Sequence, residues 1–169
     1  DQLSALAGEM RSVIFDSVSK NGGHLASNLG VVELTLALHH VYDFGAYPAG
    51  PDRLLWDVGH QCYPHKLLTG RAKQFDKLRK KGFVSGFPSP DESPYDLFAV
   101  GHAGTAISTP VGMARGGAAL GKKNHVLAGV WDAPVPGPTK AVVVNNTGRL
   151  GTTTVANESE VRALRKRGG

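Results

Sequence analysis

Two short apolar segments, residues 54–58 and 125–130, constrain the fold of this chain more than any other feature. Each has the length and composition of a buried strand, and helical patterns lie before and between them. Strands that alternate with helices favour a parallel sheet with flanking helices, so we predict an α/β fold. Asp132 follows the second segment, at the edge where open α/β sheets place their ligands.

The remaining patterns predict four helices. An amphipathic helix opens the chain and ends near residue 19, and a mostly apolar helix over 31–42 has Ser27 or Asn28 as a candidate cap. A basic helix is predicted over 71–81, with Gly82 as its C-terminal cap. The fourth, over 105–120, contains Pro110, which breaks or kinks a helix interior.

Three other regions lack a helical pattern. Residues 82–98 are rich in glycine and proline, which predicts an irregular loop at an active site or interface. Residues 141–144 and 152–156 are β-prone.

The formal charge of +5 allows two interpretations. The excess lies mainly in basic runs at 73–81 and 162–167, for which a solvated helix face is the commoner explanation. The run at 162–167 carries no interleaved aromatic residue and no known nucleic-acid module appears, so we predict no binding of nucleic acid. An anionic small substrate would suit the same excess of positive charge.

The single cysteine, Cys62, is expected to be a small buried residue rather than a nucleophile. No apolar run is long enough to cross a membrane, which favours a cytoplasmic or organellar protein.

Three glycine–histidine pairs, Gly23-His24, Gly59-His60 and Gly101-His102, lie at predicted loops. Glycine permits a sharp turn and close approach of the backbone, and histidine titrates near neutral pH. The repetition indicates one polar site built from several loop ends. His60 is a candidate to bind a phosphate or transfer a proton, although a structural histidine is the commoner case.

The loop 100–105 opens the last predicted helix, where free backbone N–H groups favour an anion such as pyrophosphate. An ordinary helix start explains the same residues equally well. Asp132 and Asn157 are a candidate oxygen-ligand pair for Mg²⁺, and two surface turn residues are the alternative.

Four motifs then occur in order: SKNGGHLASNLGVVELT (19–35), WDVGHQCYPHKLLTGR (56–71), SGFP (85–88) and VGHAGTAIS (100–108). Together they resemble the 1-deoxy-D-xylulose-5-phosphate synthase family, from the N-terminus to about Val130. The resemblance implies a thiamine diphosphate-binding fold and a transferase that condenses pyruvate with glyceraldehyde 3-phosphate, releasing CO₂. It also implies a role in isoprenoid and thiamine biosynthesis, a homodimer, and a bacterial cytoplasmic or plastid location.

The resemblance further implies roles for individual residues. His24 is placed for proton transfer and substrate contact, and His60 acts in catalysis and contacts thiamine diphosphate. The other implied cofactor contacts are Gly101, His102, Ala103, Ala133 and Asn157. Asp132 and Asn157 correspond to the ligands of Mg²⁺.

The chain departs from the family pattern after Val130. Trp131 stands where that pattern has a glycine, and Pro134 removes an N–H group. We therefore predict one partial diphosphate-binding domain over 1–169, with a divergent segment over 131–169. The pyrimidine-binding domain, which supplies the activating glutamate, is expected from another chain or region. Two alternatives stay open: a split transketolase-like subunit, and a non-catalytic interaction module.

Overall fold

The computed structural model describes residues 2–123, 125–129, 140–144 and 150–154, and Gly129 and the last two segments only as backbone. Helix α1 spans Gln2–Asn21 and buries Ala7, Met10 and Ile14 on one side. This spacing of three and four residues confirms the predicted amphipathic helix. Gly22 follows with a positive φ of 74°, a conformation that suits glycine at a helix end.

Two helices follow the first glycine–histidine pair: α2, Ala26–Leu29, and α3, Val32–Val41. The prediction that Ser27 or Asn28 caps the second of them is wrong. Val31 occupies the cap position without a side-chain hydrogen bond, and Asn28 lies inside α2. The Asn28 carboxamide is bonded instead to segments far along the chain, and these tertiary contacts override the local capping preference.

Strand β1, Arg53–Trp56, is buried along its whole length, and helix α4, Tyr63–Lys66, follows it. A kinked turn over Leu67–Arg71 and a 3-10 helix over Ala72–Lys77 come next. The predicted basic helix over 71–81 is therefore wrong in type and length. Gly70, with φ +90°, breaks the helical path before it, and Leu78 leaves the 3-10 helix to become fully buried.

Residues 78–104 contain no helix or strand, which confirms the irregular segment predicted over 82–98. Helix α5 then spans Thr105–Ala119. It continues through Pro110, although a break or kink was expected there. Pro110 is buried and lies near the start of the helix.

The strands β1, β2 (Val126–Gly129), β3 (Lys140–Val144) and β4 (Leu150–Thr154) form one sheet in that order. β1 and β2 are parallel, with Arg53 opposite Val126 and Trp56 opposite Gly129. β3 and β4 run antiparallel, so the predicted parallel sheet holds only for the first pair. The connection between β3 and β4 is too short for the crossover that parallel strands need.

Helices cover both faces of the parallel pair. Leu54, Trp56 and Leu127 belong to the main core, which also contains Ile14 of α1 and Leu36 of α3. Leu55 and Val126 face the other way and pack with Ala114 of α5. Alternate strand residues thus point into two apolar layers, which makes this a mixed α/β domain. In the described residues, no helix has the length and apolar character needed to span a membrane.

Candidate functional site

The first two glycine–histidine pairs meet. His24 follows α1 and His60 follows β1, and both histidines are half-buried. Their rings contact each other edge to face, with the centroids 5.1 Å apart and the planes inclined by 65°. Of the three predicted histidines, these two are the pair whose rings touch in the described part of the chain. Two of the three histidines that the sequence predicts to lie together are therefore in contact, although they are far apart in the chain.

The buried carboxamide of Asn28 joins the two loops that carry His24 and His60. Asn28 donates to the His24 carbonyl at 2.6 Å and to the His60 carbonyl at 2.8 Å. Its Oδ1 accepts a hydrogen bond from the Tyr63 backbone N–H at 2.8 Å. The Tyr63 hydroxyl lies 3.5 Å from the His24 backbone N–H, which donates to it. The backbone around both histidines is thus held by two buried side chains.

The SGFP segment forms one wall of the site. The Phe87 ring lies edge-on to the His24 ring, with the centroids 5.6 Å apart. Pro88 packs against Gly59, whose φ is +89°. A Cβ at Gly59 would lie 2.6 Å from Pro88 Cδ and 2.6 Å from Val100 Cγ2. Both the backbone conformation and the space therefore require glycine beside His60.

The third pair lies on an exposed loop that is tied to the end of β1. Gly101, His102 and Ala103 are exposed, and Gly104, with φ +85°, begins α5. Asp57 Oδ1 accepts hydrogen bonds from the N–H groups of Gly104 at 2.8 Å and Ala106 at 3.3 Å. A protein carboxylate therefore already binds two N–H groups at this helix start. The residues left to meet a ligand are those of the exposed loop before it.

The predicted metal pair lies outside the described residues. Asp132, Ala133 and Asn157 all belong to segments whose structure is not described. Within residues 2–123 and 125–129, no cluster of three or more histidine, cysteine or acidic side chains could hold a metal ion. The assignment of Asp132 and Asn157 to Mg²⁺ stays a prediction.

A largely buried charge cluster, which we define as Lys66, Arg71, Glu92 and Asp96, joins α4 and the turn after it to the loop at 85–96. Lys66 Nζ is fully buried and lies 2.7 Å from Glu92 Oε1. It also donates to the Ser85 carbonyl at 3.1 Å and to Ser85 Oγ at 2.9 Å. Arg71 donates to the same Glu92 oxygen at 2.9 Å. The cluster therefore anchors the segment that carries Phe87 and Pro88 onto α4.

Asp96 joins this cluster to two more histidines. His65 Nε2 lies 3.4 Å from Asp96 Oδ1, and His65 Nδ1 lies 3.0 Å from His39 Nε2. Burial alone would raise the pKa of Asp96, but hydrogen bonds from His65 and Arg71 hold that pKa well below its ordinary value. Burial, followed by the neighbouring His65, lowers the pKa of His39 to about 4. At neutral pH Asp96 is therefore ionised and His39 is uncharged.

The sequence did not reveal this cluster. His65 and Lys66 are both buried. The carboxylate partners of His65 and Lys66 come 31 and 26 residues later, respectively, in a loop without regular structure. The buried position of Cys62 confirms its expected role as a small core residue. Burial raises the pKa of its thiol to about 12, which disfavours the thiolate that a nucleophile needs.

A mixed α/β domain with a loop-built histidine site is thus the class of protein that the structure defines. Comparison with known families is more specific: a profile described as 1-deoxy-D-xylulose-5-phosphate synthase matches residues 1–161. The chain therefore belongs to the 1-deoxy-D-xylulose-5-phosphate synthase family and corresponds to its N-terminal part. This confirms the resemblance seen in the motifs.

Individual relatives cover nearly the whole chain. The 1-deoxy-D-xylulose-5-phosphate synthase of Desulforudis audaxviator is 47% identical over 170 residues, which are 99% of this chain and 26% of the relative. That of Clostridium tetani is 46% identical over 171 residues, which are 100% of this chain and 27% of the relative. A probable chloroplastic enzyme of the same name from Oryza sativa is 47% identical over 149 residues, which are 88% of this chain and 20% of the relative. The chain spans about a quarter of the length of these curated relatives.

Proposed function

We propose that this chain is the diphosphate-binding part of a thiamine diphosphate- and Mg²⁺-dependent synthase. The whole catalyst would condense pyruvate with glyceraldehyde 3-phosphate to 1-deoxy-D-xylulose 5-phosphate and CO₂. One observation supports this most strongly: in a chain of this family, the two histidines of separate sequence motifs have their rings 5.1 Å apart.

The donor groups around the site suit a diphosphate. His60 supplies an imidazole at the end of β1, and the exposed loop of Gly101, His102 and Ala103 supplies backbone N–H groups and a second imidazole. A diphosphate carries only acceptor oxygens, so these donors fit its chemistry. Asp132, Ala133 and Asn157 would complete the site, with the oxygen atoms of Asp132 and Asn157 binding Mg²⁺.

His24 is the proposed proton-transfer group. It is half-buried between the rings of His60 and Phe87, which limits its freedom to rotate. An imidazole held in this way can donate or accept a proton at a fixed position near neutral pH. In this proposal His24 faces the substrates, and His60 faces the cofactor.

The active catalyst needs more than this chain. Thiamine diphosphate supplies the carbon nucleophile when it is bound, and a pyrimidine-binding domain must provide the glutamate that activates it. The chain spans about a quarter of the length of its relatives. We propose that the protein acts as a homodimer or together with a complementary chain that carries the pyrimidine-binding domain. The bacterial and chloroplastic relatives suggest the bacterial cytoplasm or a plastid as its location.

Titration calorimetry tests the proposal. Thiamine diphosphate with Mg²⁺ is titrated into the chain, alone and together with a separately produced pyrimidine-binding domain of the family. We expect Mg²⁺-dependent binding that the Asp132→Asn variant weakens while its fold is retained. Activity of the mixture on sugar phosphates but not on pyruvate would favour a split transketolase-like subunit. No binding in any mixture would favour the non-catalytic interaction module, to which Trp131 and Pro134 already point.

A further inference from the structure

Asn28 connects three separate parts of the chain at the base of the site. It is fully buried, and its carboxamide contacts the backbone of His24, His60 and Tyr63. The last two contacts bridge 32 and 35 residues of sequence. A single side chain therefore closes the loop after α1 onto the loop after β1.

Only a primary amide matches this set of partners. The two histidine carbonyls are acceptors and the Tyr63 N–H is a donor, which fixes the orientation of the carboxamide. Both Nδ2 protons and Oδ1 are thereby used. Aspartate has the same shape but no donor, and its charge would face two carbonyl oxygens. Leucine would leave all three backbone groups without this partner.

The geometry points to Asn28 as the positioning residue of the histidine pair. Its bonds hold the carbonyls of His24 and His60 at 2.6 and 2.8 Å from one nitrogen atom, and so fix the two backbones relative to each other. The 5.1 Å separation of the rings depends on this arrangement. The inference rests on the proposed function, in which the two histidines serve the substrates and the cofactor.

The decisive variant is Asn28→Asp, because it keeps the shape and the acceptor for Tyr63 but loses both donors. Thr35→Val is a matched control: Thr35 is also fully buried, and its Oγ1 donates to the Val31 carbonyl at 2.7 Å, in helix α3. Each variant loses buried hydrogen bonds. Only the first changes groups that contact His24 and His60.

Histidine NMR spectra of the chain provide a readout that general destabilisation does not move. Asn28→Asp is expected to shift the ring resonances of both His24 and His60, which are assigned with His24→Gln and His60→Gln. It is also expected to weaken Mg²⁺-dependent binding of thiamine diphosphate at least about tenfold. Thr35→Val should leave both histidine signals in place and change binding less than about twofold. Unchanged histidine signals in folded Asn28→Asp, or equal shifts in the control, would overturn the inference.

Two further outcomes are separable. If the unmodified chain binds no thiamine diphosphate with any partner domain, the proposed function fails and the NMR comparison alone decides the role of Asn28. If Asn28→Asp does not fold, hydrogen exchange in the unmodified chain decides instead. Both Asn28 side-chain amide protons should then exchange far more slowly than those of a free primary amide. Exchange at the rate of a free primary amide would contradict the positioning role of Asn28.

Discussion

Arg71 and Asp96 form a two-bonded ion pair inside the protein. Arg71 Nη1 lies 2.7 Å from Asp96 Oδ2, and Nη2 lies 2.9 Å from Oδ1. Both side chains are nearly inaccessible to solvent. Two parallel charge-assisted bonds fix the planes of both groups, so this pair orients the whole charge cluster.

Removing the charge of Asp96 should destabilise the fold strongly. Asp96→Asn leaves Arg71 and Lys66 with only the Glu92 carboxylate between them. An uncompensated buried charge costs about 3–5 kcal/mol, and we expect a loss of that order in the free energy of unfolding, measured with urea. Asp91→Asn is the control, since Asp91 is exposed in the same loop. A loss of less than about 1 kcal/mol for Asp96→Asn would contradict a stabilising role for the pair.

Stability should also fall in mildly acidic solution because of His39. Burial lowers its pKa from the ordinary 6.5 to about 4, so the unfolded chain takes up the proton first as the pH falls. The contribution of neutral His39 is complete above pH 6.5 and disappears towards pH 4. Allowing for partial exposure to solvent, we expect a loss on the order of 1–2 kcal/mol, seen in urea unfolding between pH 7 and pH 4.5.

The His39→Gln variant keeps a donor for His65 but has no titrating ring. Its stability should vary less over the same pH range. His40→Gln provides the comparison, because His40 is exposed on the same helix. Identical pH profiles for His39→Gln and the unmodified chain would show that another group is responsible.

The elements with strong local patterns were predictable from the sequence. The apolar segment at 54–58 is β1, shifted by one or two residues, and the periodic N-terminal segment is α1. The meeting of His24 with His60 also followed from their positions at loop ends beside glycine. In each case the signal is held within a few neighbouring residues.

The features that the sequence did not reveal depend on distant partners. Asn28 was interpreted as a helix cap because capping is a local preference, yet its partners lie 32 and 35 residues away. Lys66 is buried because Glu92 and Ser85 neutralise and bind its ammonium group. The antiparallel course of β3 and β4 is an exception, because its signal is local: residues 145–149 between the strands are too few for a parallel crossover.

Gly59 should tolerate no side chain. Gly59→Ala introduces a Cβ 2.6 Å from Pro88 and Val100, in a backbone with φ +89°. Gly82→Ala is a close control, because Gly82 has φ +82° and open space around its Cα. We expect the control to lose about 1–2 kcal/mol from the backbone alone, and Gly59→Ala to lose at least 1 kcal/mol more. Equal losses in urea unfolding would show that the contacts with Pro88 and Val100 relax without cost.

Asp57 should order the start of α5 and hence the exposed glycine–histidine loop. Its Oδ1 accepts from the N–H groups of Gly104 and Ala106, and a negative charge is favourable at a helix N-terminus. Asp57→Ala removes both bonds, and we expect it to lose about 1–2 kcal/mol in urea unfolding. Asp57→Asn keeps an acceptor oxygen and should lose less than the alanine variant.

Hydrogen exchange locates the effect of these two substitutions. The Gly104 and Ala106 amides should exchange faster in Asp57→Ala, while amides near the middle of α5 are much less affected. Asp76→Ala is the control, since Asp76 is exposed and Asn21 donates to its backbone carbonyl, not to its side chain. If the two amides stay protected in Asp57→Ala, other groups hold the start of α5, and the loop that carries His102 does not depend on the end of β1.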